Sequence, residues 1–383
     1  MSDVKLKPLE VLRIWVKAGG RCAYAGCNEN LLDDQLTYLK AKTGYLAHIV
    51  GEKPDGPRGH RTLSEQLKSD PDNFILLCGR HHKMVDVDQV EEHPVALLQR
   101  YKREHDERIE LQTGIHPSKR THVVLFGEGI QDRRGQVNFE QAHQAIMPER
   151  YPATARGIRI DLNEVALTPT DAEYWEVATK IIKRKVAAVH EKEDITGVEI
   201  NHLSVFGFAP IPLLIYFGRA VGDTVPTDVY QRHLSPANWR WREMSSQGFN
   251  YTLIAPEEPS KQCNVAVVLS LSGPIHREEV TRTLGEQLPT YEITIANPGR
   301  TYLQAQEQLE LFTSKWRDLM TRIRATHGNE CEIHLFPAVP VSVAVEIGRA
   351  LRPAADPIIH VYNLEKLDAQ TSQFKFALTL ARD

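Results

Sequence analysis

Residues 7–18, KPLEVLRIWVKA, space their apolar positions as a short helix does, and Gly19–Arg21 end that helix just before Cys22. Residues 43–50, TGYLAHIV, predict a strand that runs into a loop. The loop 51–62, GEKPDGPRGHRT, is dense in Gly, Pro and charge, which places it on the surface. Residues 74–78, FILLC, form a second short apolar run, and GRHHKMVD leads from it into a helix. A longer helix is predicted over roughly 94–112, where Leu97, Leu98, Tyr101, His105 and Ile109 recur at helical spacing.

The pattern changes after residues 113–121, TGIHPSKRT, which mix Gly, Pro and charge without periodicity. THVVLFGEGI then opens a new apolar strand. From there strands alternate with amphipathic helices: GIRIDL, a helix over 171–190, SVFGFAP, VAVVLSLSG, a helix over 303–326, and IHLFPAVP. Strands alternating with helices predict an α/β fold with parallel sheets. The expected domains are 1–115 and 116–383. Within the second, FGFAPIPLLIYFGRAV (206–221) aligns without gaps on FPAVPVSVAVEIGRAL (336–351), so that Phe206, Pro210, Gly218, Arg219 and Ala220 recur as Phe336, Pro340, Gly348, Arg349 and Ala350. Two tandem units, over approximately 120–255 and 260–383, are the simplest source of such a repeat.

Composition narrows the class without naming it. A chain of 383 residues exceeds what one hydrophobic core usually serves. Its 42% apolar and 25% charged residues are those of an ordinary globular protein, and the net charge of −4 excludes a basic coat for nucleic acid. No apolar run is long enough to span a bilayer. The N-terminal MSDVKLKPLEVLRIW lacks the apolar core and cleavage site of a signal peptide, so the expected compartment is the cytoplasm, with no membrane partner. Five cysteines, an odd number, in the expected reducing compartment argue against a disulfide framework.

Three of those cysteines lie at metal-ligand spacing. Cys22-x4-Cys27 and Cys78-x2-His81 are two pairs of soft or borderline donors, the set a closed tetrahedral Zn²⁺ site takes. In a domain this small such an ion supplies folding energy that a thin core cannot. Between and beside the pairs stand His48, Asn73, His82 and Asp86. Cutting a phosphodiester needs a base for water, a cation for the charge of the transition state, and a frame that aligns both. His48 could be that base, and His82 with Asp86, at i and i+4, could share a helix face and hold a divalent ion.

With the zinc pairs outside them, AHI (47–49), Asn73 and His82 resemble the HNH, or ββα-metal, nuclease motif, over about residues 20–110. DPDNFILLCGRHHKMVD carries most of the likeness. The resemblance implies that His48 is the general base, that Asn73 positions its loop or helps hold the metal, and that His82 ligates a catalytic Mg²⁺ or similar ion, with Asp86 a second candidate. Many members of that family carry Asp or His just before the base as a metal ligand; this chain has Ala47 there. A zinc-stabilised DNA-binding module without catalysis is the alternative, and His82 separates the two, because a structural site needs no second histidine beside its fourth ligand.

In the second domain, ligands are expected beyond the carboxyl ends of parallel strands. There lie the Pro-containing turns at 208–212 and 337–342, with Pro210, Pro337 and Pro340, the repeated Phe206, the serines Ser270 and Ser272, and Asp161 and Asn163. In NWRWRE, Trp239 and Trp241 alternate with Arg240 and Arg242, so the indoles could stack on bases while the guanidiniums pair phosphates. Arg300 and Tyr302, at a predicted helix start, are candidates of the same kind. HLSVFGFAPIPLLIYFGRAV, VAVVLSLSG and IHLFPAVPVSVAVEIGRAL resemble a SAVED domain, a fusion of two CARF-like, Rossmann-type units. The pairing of the two resemblances is similar to the HNH effector of CBASS, bacterial cyclic-oligonucleotide antiphage signalling. It implies a double-stranded DNA endonuclease activated by a cyclic di- or trinucleotide from a partner synthase, with ligand-induced homo-oligomerisation. The other enzymatic reading is a stand-alone restriction or nicking nuclease.

Overall fold

The computed structural model describes residues 6–33, 42–127, 137–162, 167–171, 173–191, 197–257, 263–366 and 372–382, so the candidate Asn163 lies outside the described residues. The chain divides into two units, Met1–His116 and Pro117–Asp383.

The first unit is built on a small core. Helix α1 (Pro8–Lys17) starts on a proline whose missing donor would have had no partner there, and it buries Ile14 and Trp15. Strand β1 (Gly44–His48) pairs antiparallel with β2 (Phe74–Cys78), with Gly44 opposite Cys78 and His48 opposite Phe74; the short helix α2 (Leu63–Leu67) lies between them in sequence. Strand β2 is buried at every position, which is why it reads as an unbroken apolar run. Helix α3 (Gly79–Lys83) begins at once after Cys78, and α4 (Val95–Thr113) follows, burying Leu98 and His105. The core gathers Ile14, Trp15, Leu31, Phe74, Leu76 and Leu98 with Cys22 and Cys78.

One expectation for this unit is corrected. The loop 51–62 is exposed over most of its length, but the Arg58 side chain is only 4% exposed. The loop folds back on itself: a Cβ on Gly59 would lie 2.4 Å from the carbonyls of Lys53 and Pro54, so only glycine fits there. That close turn leaves Arg58 in a left-handed conformation, φ 55°, and directs its guanidinium inward.

The second unit repeats one order of elements twice. The first pass is β3 (Arg120–Gly127), α5 (Phe139–Ile146), β4 (Tyr151–Pro152), β5 (Ile158–Asp161), α6 (Tyr174–His190), β6 (Leu203–Phe208), α7 (Ile211–Val221) and β7 (Thr227–Tyr230). After β8 (Thr252–Ile254) comes the second: β9 (Asn264–Ser270), α8 (Arg277–Leu284), β10 (Thr290–Thr294), α9 (Gln306–His327), β11 (Glu332–Ala338), α10 (Val341–Arg349), β12 (Ile358–Lys366) and β13 (Ser372–Leu380). Strand β3 pairs in parallel with β6, and β6 with β7, while β4 and β5 pair with the other side of β3. The order β10-β9-β11-β12 in the second sheet matches β5-β3-β6-β7 in the first, again in parallel. Antiparallel strands β8 and β13 close the edges of the second sheet.

Strand pleating sorts side chains between cores. Val124 and Phe126 of β3 join a core shared by both passes, as do Val265, Val267 and Leu269 of β9. Val123 and Leu125 face a separate core with α5, and Ala266 and Val268 face another with α8. Helices α7 and α10 meet in the shared core at the repeated glycines. A Cβ on Gly218 would lie 2.0 Å from the Val345 carbonyl, and one on Gly348 would lie 1.9 Å from the Ile215 carbonyl. The contact is reciprocal, as a two-fold relation between the passes requires.

Three further expectations change. Strand β8 falls inside the expected first tandem unit yet pairs with β10, because its antiparallel register covers an otherwise open edge of the second sheet. Pro337 is not in a turn: it lies within β11, opposite Leu269, and the turn begins after Ala338. The helix expected from residue 303 starts at Gln306, so Arg300 and Tyr302 stand in the segment leading to it.

Candidate functional site

In the first unit Cys22, Cys27, Cys78 and His81 converge, with ligand atoms all within 4.8 Å of one another. His81 Nδ1 lies 3.2 Å from Cys78 Sγ and 3.6 Å from Cys22 Sγ. The Cys78 amide donates to Cys22 Sγ at 3.3 Å, a bond that favours a thiolate. Burial pushes the Cys22 and Cys78 thiols up and the His81 imidazole down, so the pocket resists bare charge and suits these donors to a cation. Tetrahedral metal bonds of about 2.0–2.3 Å put ligand atoms roughly 3.5 Å apart, close to the 3.2 and 3.6 Å from His81 to the two buried sulfurs. The set could hold a metal ion. Sequence reading missed its surround: Tyr24 stacks on His81 at 4.0 Å between ring centres, and its hydroxyl pairs with His93 Nε2 at 3.0 Å.

Successive residues on a helix point about 100° apart, so His82 leaves that cluster to its neighbour. His82 stacks on Tyr45, and its Nε2 lies 3.2 Å from Asp86 Oδ2. His48 Nε2 lies 3.2 Å from the Lys68 carbonyl. A carbonyl only accepts, so this bond puts the proton on Nε2 and leaves the Nδ1 lone pair of the neutral ring free for a proton. Asn73 is buried, and its amide is committed to backbone: Oδ1 accepts from the Val50 amide at 2.8 Å, and Nδ2 donates to the carbonyls of Val50 (2.9 Å) and Leu67 (3.2 Å). These bonds tie Asn73 to the loop after β1, the positioning role expected for it.

Arg58, absent from the sequence-based candidates, joins these groups. Its Nη2 donates to the His48 carbonyl at 2.9 Å and to Asp86 Oδ1; Nε donates to the Ile49 carbonyl at 3.0 Å and Nη1 to the Val85 carbonyl at 2.7 Å. One guanidinium thus ties the end of β1 to the turn after α3. Asp86 has one oxygen on Arg58 and the other beside His82. No periodicity marks such a residue; its only signal was an arginine between Pro57 and Gly59 in a loop crowded with turn-formers.

In the second unit the expected ligand residues separate into two groups. Phe206 and Trp239, 0% and 1% exposed, are core residues in edge-to-face contact, so neither has a face for a base. Phe206 also stacks on Tyr230 at 4.5 Å, as its repeat Phe336 stacks on Tyr362 at 4.5 Å: the repeated phenylalanines conserve packing geometry between the passes. Trp241 is half-buried against the same cores, and Pro337 is buried in its strand. Ser270 is buried too, with its hydroxyl accepting from the Ile275 amide at 3.3 Å.

The second group remains at the carboxyl ends of the strands. Pro210 and Pro340 cap the N-termini of α7 and α10. The Ser272 amide donates to the Ala338 carbonyl at 2.7 Å, where neighbouring strands β9 and β11 lead their connections to opposite faces. Tyr302 lines a cavity of about 590 Å³ with Phe249 and Asn297, and pairs with the Tyr251 hydroxyl at 3.3 Å. Arg300 lines another of about 240 Å³ beyond the end of β7. Cavities of about 540 and 920 Å³ open elsewhere, by the last turns of α10 and α7, and hold none of the expected ligand residues.

No helix among the described residues is long and apolar enough to cross a membrane. No curated protein matches the chain. Among solved structures the chain is similar to the Acinetobacter baumannii Cap4 SAVED/CARF-domain containing receptor with the cyclic trinucleotide 2′3′3′-cAAA, at 14% identity and a TM-score of 0.45, covering 84% of this chain and 66% of that one. The same receptor with 3′3′3′-cAAA gives 14% identity, a TM-score of 0.45 and coverages of 84% and 67%. The Moraxella osloensis Cap4 SAVED/CARF-domain containing receptor gives 13% identity, a TM-score of 0.43 and coverages of 83% and 64%. The chain thus spans about two thirds of the length of these receptors. The family model described as "SMODS-associated and fused to various effectors sensor domain" matches residues 182–380, just over half the chain, and the chain belongs to this SAVED family.

Proposed function

We propose that the protein is a CBASS effector: a metal-dependent, HNH-type endonuclease for double-stranded DNA in the first unit, governed by a SAVED sensor for a cyclic di- or trinucleotide in the second. The observation that supports the nuclease reading is the Arg58 fork, which bonds both the backbone carbonyl of His48 and the carboxylate of Asp86, the partner of His82. His48 Nδ1 accepts a proton as a water oxygen bonds to phosphorus and the bond to the leaving oxygen breaks. His82 would hold a Mg²⁺ or similar ion, with Asp86 Oδ2, the oxygen not on Arg58, as the second candidate ligand; the ion would supply positive charge for the phosphorane-like transition state. Cys22, Cys27, Cys78 and His81 would hold a structural Zn²⁺ that keeps β2 and α3 in place.

The sensor reading rests on the doubled α/β unit, whose two passes offer strand ends and helix N-termini to one ligand of approximate internal symmetry. A partner synthase would supply that ligand. Binding switches a nuclease only if the ligand prefers one conformation or assembly, and moving from mostly off to mostly on takes roughly 5.5 kcal/mol of differential binding. Self-association that brings two nuclease units to one duplex is the on-state we expect. Plasmid, protein and Mg²⁺ are incubated with and without a panel of cyclic oligonucleotides, with light scattering on the same samples. Ligand-dependent cleavage at raised mass is the expected result. Equal cleavage under every condition returns the stand-alone nuclease, and ligand binding with no cleavage at all returns the zinc-containing DNA-binding regulator.

A further inference from the structure

The cavity of about 240 Å³ beyond the end of β7 is walled by Arg232, His233, Arg242, Arg300 and Gln304, with no carboxylate in its lining. Among the described residues, none of the three arginines forms an ion pair. Arg232 lies over the Trp239 ring, 5.6 Å from its centre, which fixes the guanidinium, yet its Nη1 is buried without a hydrogen-bond partner. His233 is 3% exposed and its Nε2 is likewise buried without a partner, as is Gln304 Oε1. Buried polar atoms are nearly always paired, so three unpartnered ones on residues that line the same small cavity point to it as a place that takes a polar ligand.

The charges say what that group is. Three guanidiniums without counter-ions, one of them half-buried, attract an oxyanion; Arg242 has Nη2 on the Ser235 carbonyl and keeps its remaining N–H groups as donors. Burial, with Arg242 and Arg232 beside it, holds His233 down to about 4, so the ring is neutral at neutral pH. The Arg240 carbonyl takes its other ring hydrogen, which leaves Nε2 an acceptor. Gln304 Oε1 is an acceptor too. A partner that satisfies the whole wall brings an anion for the arginines and hydroxyl or amino hydrogens for His233 and Gln304.

We infer that this cavity is a phosphate-binding site that takes a phosphate or phosphodiester together with an adjoining hydroxyl or amino group, as a nucleotide presents them. Its identity as part of the messenger site rests on the proposed sensor function; its anion chemistry does not. The same chemistry could come from a cyclic oligonucleotide or from free phosphate, and one set of titrations separates them. Full-length protein and its Arg242→Gln, Arg300→Gln and Arg232→Gln variants are titrated calorimetrically with inorganic phosphate, pyrophosphate and cyclic triadenylate. Arg300 is exposed, so its variant keeps the wild-type melting temperature even if loss of Arg232 from the Trp239 face, or of the Arg242 bond to the Ser235 carbonyl, lowers that of the other two.

Each variant is expected to weaken cyclic triadenylate and pyrophosphate by about tenfold or more, the effect of one charge-assisted bond. Weaker pyrophosphate binding in the variants, with cyclic triadenylate unbound by any protein or bound equally by all, keeps the phosphate site and removes its assignment to the messenger. Variants that bind all three ligands as wild type does overturn the site, whatever the fate of the sensor reading. A wild-type protein that binds none of the three overturns it as well.

Discussion

In the first unit the polar side chains that would do chemistry also hold the chain together, whereas in the second the packing is complete without them. Cys22 and Cys78 belong to the first unit's core, and its only sheet among the described residues is one antiparallel pair. Arg58 spans β1 and the turn after α3 with bonds that no apolar contact could replace. In the second unit Phe206, Trp239, Phe336 and Tyr362 stack in dry cores behind strands buried on both faces. A small unit spends its polar residues on structure and function at once; a doubled one can leave its strand ends free for a ligand.

The largest test of this contrast removes the metal. Structural zinc contributes roughly 10 kcal/mol or more to a domain of this kind, comparable to the whole stability of a typical fold. Chelation, or Cys78→Ser, should therefore abolish the first unit's calorimetric transition and leave the second's in place. Elemental analysis should find one zinc per chain; less than half an equivalent of any tightly held transition metal would sink the site. A first unit that still melts cooperatively after chelation would break the contrast.

The next effect is on rate rather than folding. His48→Ala should lower plasmid cleavage by ~10²–10⁴ while zinc content and cyclic-oligonucleotide affinity stay unchanged. The side chain is half-buried and makes one bond to backbone, so its loss leaves the core intact. Cleavage at the wild-type rate would return His48 to a structural role.

The two units also differ in how much of each was legible. Candidate metal ligands are few residue types at short spacings, so Cys22, Cys27, Cys78 and His81, which converge in the fold, stood out before any geometry was known. Apolar runs placed β2, β3, β6, β9 and β11, because a strand buried on both faces leaves a continuous signature. The ungapped repeat at Phe206 and Phe336 pointed to two alike passes, and their matching strand orders followed. Aromatic alternation misled at Trp239, since a sequence cannot say whether an indole faces a ligand or a core. Arg58 and the Arg232–His233 wall were illegible for the opposite reason: loops bring them to their partners, and no periodicity records a loop's course.

A smaller, purely structural effect tests the two-fold relation. Gly218→Ala and Gly348→Ala each exchange a poor helix former for the best, a local gain of about 1 kcal/mol. Each new Cβ would fall 2.0 or 1.9 Å from a carbonyl oxygen of the partner helix, so the two helices must part. Overpacking of that kind costs about 1–3 kcal/mol, and the backbone partner cannot swing aside as a side chain could. We expect both variants to lower the second unit's melting temperature by several degrees and by similar amounts, with the first unit's transition unmoved. A clear difference between them would show that the repeat's symmetry does not extend to its energetics.

The smallest effect is one of pH, and it too belongs to the second unit alone. Asp228 of β7 takes a 2.6 Å bond from Arg150 Nε and has His202 Nε2 at 3.6 Å. Burial raises its carboxyl, but the bonds to His202 and Arg150 outweigh burial and leave it below the ordinary value of 3.8. A carboxyl lowered in the folded state stabilises the fold above its unfolded pKa, and that stability is lost as pH falls through the folded value. The second unit's melting temperature should therefore fall more steeply below about pH 4 in wild type than in Asp228→Asn, which has no charge to lose. Above that pH the variant should be the less stable of the two, since Arg150 then keeps a neutral partner in place of a charged one. Carboxyl and guanidinium are both partly exposed, so solvent screening keeps the difference small. Parallel melting curves for the two proteins would refute the assignment of this acid limb to Asp228.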